Sequence, residues 1–229
     1  MSGDHNIDSK FDEQSSIART SELLSAVKVH IQSGDFGEAQ NLLESLLKDH
    51  PNNSEALYFS AVTQRLVKNY DGALSWLKRL LDIEPYYGRG WQEQGHVYME
   101  LNNLSEARRA FQRAVSHNSS LIASWQMLMS LVDPAVDGNA HAHFKDQYQR
   151  LASLPPELLG VRNLMEEGKL SKAEQLCRSF LQKQPKHIEA MRLLADLGVK
   201  THVLDDAEFI LESALVFDPT NTLVRFDYM

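Results

Sequence analysis

One cysteine among 229 residues excludes an internal disulfide framework, so packing has to hold this chain together. Long apolar runs are missing as well, and none approaches the roughly 20 residues that a membrane-spanning helix requires. Basic residues are in deficit, with 23 Lys and Arg against 31 Asp and Glu and a net charge of -8. A chain that grips nucleic acid through its phosphates needs the opposite balance. Nucleic acid and membrane are therefore not expected partners. Motifs of chemistry are scarce too. His141 and His143 form a His-x-His whose two rings leave different faces of one helix and lack a third ligand at fixed spacing. Tyr87-Gly88-Arg89-Gly90 has no strand before it and no Lys-Ser or Lys-Thr after it, so it reads as a turn rather than a phosphate loop. No Ser-His-Asp or Cys-His set has a motif context. Catalytic, metal-binding and cofactor-binding residues are all expected to be none, and the chain to have no active site of its own.

What the sequence does have is a period. Ala39, Ala73 and Ala107 lie 34 residues apart, and Ala173 and Ala207 repeat that interval. Pro51 to Pro85 and Pro185 to Pro219 keep the same spacing, so two residue types with different structural tasks run in step. Set out at this period, units start at Thr20, Ser54, Gly88, Ile122, Leu154 and Ile188, and a seventh begins at Thr222. The interval Ala107 to Ala173 is 66 where two periods would give 68, so two residues are lost in between. The turn-rich segment 132–140, with Asp133-Pro134 and Asp137-Gly138, marks the fourth unit as the irregular one.

Within one unit the apolar residues recur at helical steps. Trp91, Gly95 and Tyr98 share one helical face, and Ala107, Phe111 and Ala114 share the face of a partner helix. Gly95 and Ala107 are small where the two helices must approach, and a longer side chain there overpacks the pair. Gly34, Asn102 and Gly168 share one phase after the first helix, where a left-handed cap favours Gly or Asn. The four phased prolines close the second helix, which proline cannot continue. Cys177 falls in register with Leu43, Leu77, Phe111 and Leu211, so it is expected in the core. Residues 1–19, with Asp4, Asp8, Asp12 and Glu13 and no apolar segment, are expected to be a mobile amino-terminal tail ahead of a repeat domain at 20–229.

Trp91, Gln94-Gly95, Tyr98, Ala107 and Phe111 resemble the tetratricopeptide repeat pattern, with Ser119 standing where the final proline would be. The resemblance extends over about residues 20–229. It implies an all-α, right-handed α-solenoid of antiparallel helix pairs, about six units and a partial seventh, that binds a protein or peptide on the wall formed by its first helices. By repeat position, Lys28, Tyr58, Arg65, Arg89, Gln92, His96, Gln126, Arg162 and Arg192 are placed on that wall as candidate peptide-groove residues. Of the adjacent pair Tyr58 and Phe59, one is expected to face the neighbouring repeat and the other to be an exposed anchor. Two known uses of such walls fit poorly. The Lys and Asn positions of a carboxylate clamp hold Leu24 and Tyr58, and the asparagine ladder of tetratricopeptide glycosyltransferases is replaced by Ser25, Phe59, Glu93, Met127, Leu159 and Leu193.

The stretches 151–178 and 189–208 also resemble the repeat region of bacterial tetratricopeptide sulfotransferases. That resemblance implies a substrate-presenting arm for a catalytic domain that follows, with phosphoadenosine phosphosulfate as cofactor there and none in this chain. The repeat that begins at Thr222 stops at Met229, which suggests an amino-terminal piece of a longer protein, with self-association through an uncapped carboxyl end, or a free-standing assembly adaptor, as the alternatives. A cytoplasmic location is the default expectation.

Overall fold

The computed structural model describes residues 5–229, with side chains from residue 16 onward. Every regular element among them is a helix: α1 (His5–Ser33), α2 (Phe36–Asp49), α3 (Ser54–Leu66), α4 (Tyr70–Ile83), α5 (Gly88–Glu100), α6 (Leu104–His117), α7 (Ile122–Ser130), α8 (Gly138–Ala152), α9 (Pro156–Glu166), α10 (Leu170–Lys183), α11 (Ile188–Lys200), α12 (Leu204–Phe217) and α13 (Thr222–Tyr228). None is long and apolar enough to cross a membrane. Of the expected amino-terminal tail, residues 1–4 lie outside the described residues. Residues 5–19 are helical and run into α1 without a break, because nothing in Asn6 to Arg19 is a helix breaker.

Local chemistry sets the boundaries. α2, α4, α10 and α12 each end two residues before Pro51, Pro85, Pro185 and Pro219. Between the two helices of a pair the chain turns through a left-handed residue at Gly34, Lys68, Asn102, Gly168 and His202. In all five turns the next amide reaches back to the carbonyl five residues earlier, from Asp35 to His30, Asn69 to Gln64, Asn103 to Tyr98, Lys169 to Leu164 and Val203 to Gly198. Asp35, Asn69 and Asn103 then cap the second helix with their side chains. The first position of three units carries a second lock. Trp91 Nε1 donates to the Pro85 carbonyl at 2.7 Å, Trp125 Nε1 to Ser119 at 2.8 Å, and Arg225 to Pro219 at 2.6 Å.

The chain forms two compact units, 1–114 and 115–229. In the first, α1 packs on α2 and α3 on α4, and each second helix packs on the following first helix. α1 touches α3 and α3 touches α5, while α2 and α4 make less contact with one another. Closer first helices put the α1/α3/α5 face on the inside of the stack. The core follows the repeat phase: Ala39, Ala73, Ala107, Leu77 and Phe111 are all fully buried.

In the second unit the irregular repeat is visible as a nine-residue α7 beside the thirteen-residue first helices α5 and α11. After α7 the turn is held by Asp133, whose side chain accepts the Ala135 amide, and by Asp137, which caps α8. The turn before α7 is sunk into the protein. Asn118, Ser120 and Ser124 are buried, and Asn118 Nδ2 donates to Asn163 of α9 at 3.2 Å. A polar tie to another helix therefore stands at the repeat end that lacks a proline. Ala173, Cys177, Leu158, Val161 and Leu197 form the core behind it, and Cys177 Sγ donates to the Ala190 carbonyl. Burial pushes that thiol up to about 11, which leaves it protonated and inert at neutral pH.

Candidate protein-binding wall

The inner face of α3 and α5 is stitched by charged side chains across the repeat boundary. Arg65 Nε lies 2.5 Å from Glu93 Oε1, with its Nη2 on the second carboxylate oxygen. Glu93 is 3% exposed, so this pair is close to buried. Arg89, near the start of α5, reaches back to Glu55 at 2.7 Å and to the Tyr87 hydroxyl at 2.8 Å. Its guanidinium also covers the rings of Tyr58 at 5.0 Å and Tyr87 at 5.3 Å. An Arg89 replacement removes all of these contacts.

Tyr58 and Phe59 divide differently from the expectation. Both are half-buried, with ring centroids 5.2 Å apart edge to face. Tyr58 turns to α5 and meets Tyr87, while Phe59 turns to α1, where Lys28 Nζ sits 5.4 Å over its ring. Helical geometry separates neighbouring residues by about 100°, so each aromatic faces a different neighbouring repeat. Burial, and then the nearby Glu93 carboxylate, push the Tyr58 hydroxyl up to about 12. It stays protonated under any ordinary condition.

His96 occupies the next turn of α5. Its ring stands edge-on to Phe111 at 5.1 Å. Burial first, and the Arg65 cation second, pull it from 6.5 down to about 4. Between those two values the unfolded chain accepts a proton that the folded chain refuses. Stability therefore falls as pH drops through that window, by on the order of 3 kcal/mol for this group. Urea titrations of the parent and His96→Leu at about pH 7 and about pH 4.5 should show a smaller loss in the variant. Equal losses would mean that His96 is not held neutral.

In the second unit the same device recurs on the first helices. Arg162 of α9 pairs with Glu189 of α11 at 3.5 Å, and Arg192 of α11 bridges Glu189 at 2.8 Å and Asp227 of α13 at 2.6 Å. Gln126 is exposed on α7. His143 packs its ring 5.8 Å from Trp125 and 5.8 Å from Phe144, which gives the His-x-His segment a packing role on α8. No group of three His, Cys, Asp or Glu among the described residues is arranged to hold a metal ion.

Most of the candidate cations are thus already neutralised within the protein. Four of the candidate cations, Arg65, Arg89, Arg162 and Arg192, are each matched to a carboxylate on an adjacent first helix. Lys28 is the exposed one, and its ammonium lies over the Phe59 ring. Glu55 and Glu93 were not singled out as functional by sequence reasoning. For Glu55 a signal was present, because Glu55 and Arg89 are 34 residues apart and so occupy one repeat phase; Arg65 and Glu93, 28 apart, do not.

A family model of the tetratricopeptide repeat matches residues 30–88 and 164–225, more than half of the chain, and a second covers 88–121. This chain belongs to the tetratricopeptide repeat family. Among curated relatives, the repeats are 30% identical over 84 residues to the general transcriptional corepressor trfA of Dictyostelium discoideum, which is 37% of this chain and 6% of that protein. They are 29% identical over 83 residues to the corepressor ssn6 of Schizosaccharomyces pombe, 36% of this chain and 8% of that one. The chain thus spans less than a tenth of the length of these relatives. Among solved structures, pilF of Pseudomonas aeruginosa superposes with a TM-score of 0.55 at 16% identity, covering 93% of this chain and 96% of that one. The type IV pilus biogenesis factor PilW gives 0.51 at 16% identity over 92% and 98%. At such identities the likeness is one of fold: an all-α stack of tetratricopeptide helix pairs.

Proposed function

We propose that this tetratricopeptide repeat chain is a non-catalytic binding module that takes a segment of a partner protein along its α1/α3/α5 wall. The observation that carries this reading is the exposed Lys28 ammonium beside the half-buried Phe59 and Tyr58 rings, on a surface that cross-repeat ion pairs hold rigid. Aromatic rings with two rotatable torsions give contact area at low entropic cost, and a wall already fixed by Arg65–Glu93 and Arg89–Glu55 loses little freedom on binding. The ligand that fits has an apolar side chain for the Phe59 edge and a carboxylate within reach of Lys28.

A random-peptide display selection against the whole chain tests this. Enriched peptides should carry an acidic residue next to an apolar one, and Phe59→Ala with Lys28→Glu should weaken them by roughly tenfold or more. Enriched peptides that bind this double variant as tightly as the parent would refute the assignment. The reading of the chain as the arm of a sulfotransferase rests on the stretches quoted between residues 151 and 208, and the wall described above gives it no added support.

A further inference from the structure

The second helices share one design on the side turned away from their neighbours. In α2, α4, α6 and α10 one outward position holds Asn41, Ser75, Arg109 and Gln175, and the position two turns later holds Lys48, Asp82, Ser116 and Gln182. All eight are exposed and polar, as a solvated helix face should be. α12 breaks the design. Its residues at the same two positions are Phe209, 69% exposed, and Val216, 75% exposed. Being seven apart, they stand on one face two turns from each other. The opposite side of α12 is already spent on the core through Ala207, Leu211 and Ala214. The helix is therefore apolar on both sides, and the outer side has no cover among the described residues.

The surroundings of this stripe say what would cover it. Asp205, Asp206, Glu208 and Glu212 are exposed on α12 around Phe209, and α12 holds no Lys, Arg or His at all. Tyr228 donates to Glu208 and Glu212, which fixes one side of the rim. At its far end Phe217 extends the apolar surface under the Lys186 ammonium, whose Nζ lies 5.3 Å from the ring centroid. A second copy of the chain is a poor occupant. Setting this face against itself opposes four carboxylates to four, in a protein of net charge -8.

We propose that the outer face of α12 is a second docking surface, and that its partner is a basic amphipathic helix: Leu or Ile on one face to meet Phe209 and Val216, flanked by Lys or Arg to meet the carboxylate rim. Anchors two turns apart on a helix suit a helix laid alongside. The surface shares no residue with the α1/α3/α5 wall and does not depend on what that wall binds.

The test uses the full chain and two synthetic helical peptides of the same apolar pattern, one with Lys and one with Gln at every polar position, read by fluorescence anisotropy. The Leu/Lys peptide is expected to bind with a micromolar Kd that weakens as salt is raised, and the Leu/Gln peptide, which has no cation for the carboxylate rim and no carboxylate for Lys28, to bind at least roughly tenfold more weakly. Phe209→Ser with Val216→Gln, the residue types of Ser75 and Gln182, should weaken the Leu/Lys peptide by roughly tenfold or more with far-UV circular dichroism unchanged. Phe59→Ala should leave it as it was. Equal binding by parent and double variant, or equal binding of both peptides, overturns the proposal. So does a parent dimer in sedimentation that the double variant abolishes, since the face would then belong to a second copy.

Discussion

Replacing Arg65 with Met is expected to lower the stability of the protein by about 3–5 kcal/mol, toward the lower figure because Arg65 itself keeps 22% of its side chain in solvent. The loss comes from the partner left behind. Glu93 is 3% exposed, and without the guanidinium its carboxylate sits among Tyr58, α3 and α5 with no cation bonded to it. The pair also couples adjacent repeats, and in a stack stabilised by nearest-neighbour interfaces its removal should broaden the unfolding transition. Urea unfolding followed by circular dichroism reads both effects. The double variant Arg65→Met with Glu93→Leu should recover most of the loss, because it removes the buried charge together with its partner. An Arg65→Met variant within about 1 kcal/mol of the parent would show that Glu93 finds water or another cation, and that the pair is not the tie between α3 and α5.

Gly95→Val should cost about 2–3 kcal/mol. A Cβ at residue 95 would lie 2.6 Å from Phe111 Cε1 and 2.8 Å from its Cδ1 and Cζ. The ring has little room to step aside, since Phe111 is fully buried and the His96 ring already packs edge-on against it with centroids 5.1 Å apart. Valine is the informative choice because alanine would gain close to 1 kcal/mol of helix propensity over glycine and mask part of the strain. Phe111→Leu in the same chain should relieve the clash, so the two changes together should be less harmful than their sum. Gly37 in α2 is the control: an added Cβ there meets nothing within 4 Å, and Gly37→Ala should be neutral or stabilising. If Gly95→Val melts with the parent, helices α5 and α6 are not packed through this contact.

The helix pairs were legible because the residues that make them are local. Small residues at Gly95 and Ala107, prolines two residues past α2, α4, α10 and α12, and Gly34, Asn102 and Gly168 in the turns all act within one repeat. Lys68 and His202 were not legible as left-handed residues, because neither is the Gly or Asn that marks such a cap in the other turns. They adopt it because the amide of the next residue closes onto the carbonyl five back, as in the Gly and Asn turns, and this hydrogen-bonded turn with the packed pair around it offsets the roughly 1–2 kcal/mol of strain. The long α1 escaped notice for a related reason: a polar segment with no breaker is compatible with helix and with tail, and helix α1 already provided the turns on which residues 5–19 could extend.

The candidate wall was legible only in outline. Repeat phase put the right residues on the first helices but could not say which of them were spoken for. By itself the sequence determined the helical repeat, its period, its irregular fourth unit and the core positions, since these follow from hydrophobic spacing and turn chemistry within about 34 residues of chain. The tertiary structure decided the rest: that Arg65, Arg89, Arg162 and Arg192 are tied to carboxylates on neighbouring helices, that Tyr58 and Phe59 face different repeats, and that Phe209 and Val216 stand uncovered among acids. Those outcomes depend on how one helix pair stacks on the next, and side chains 27 to 35 residues apart meet only once the stack exists.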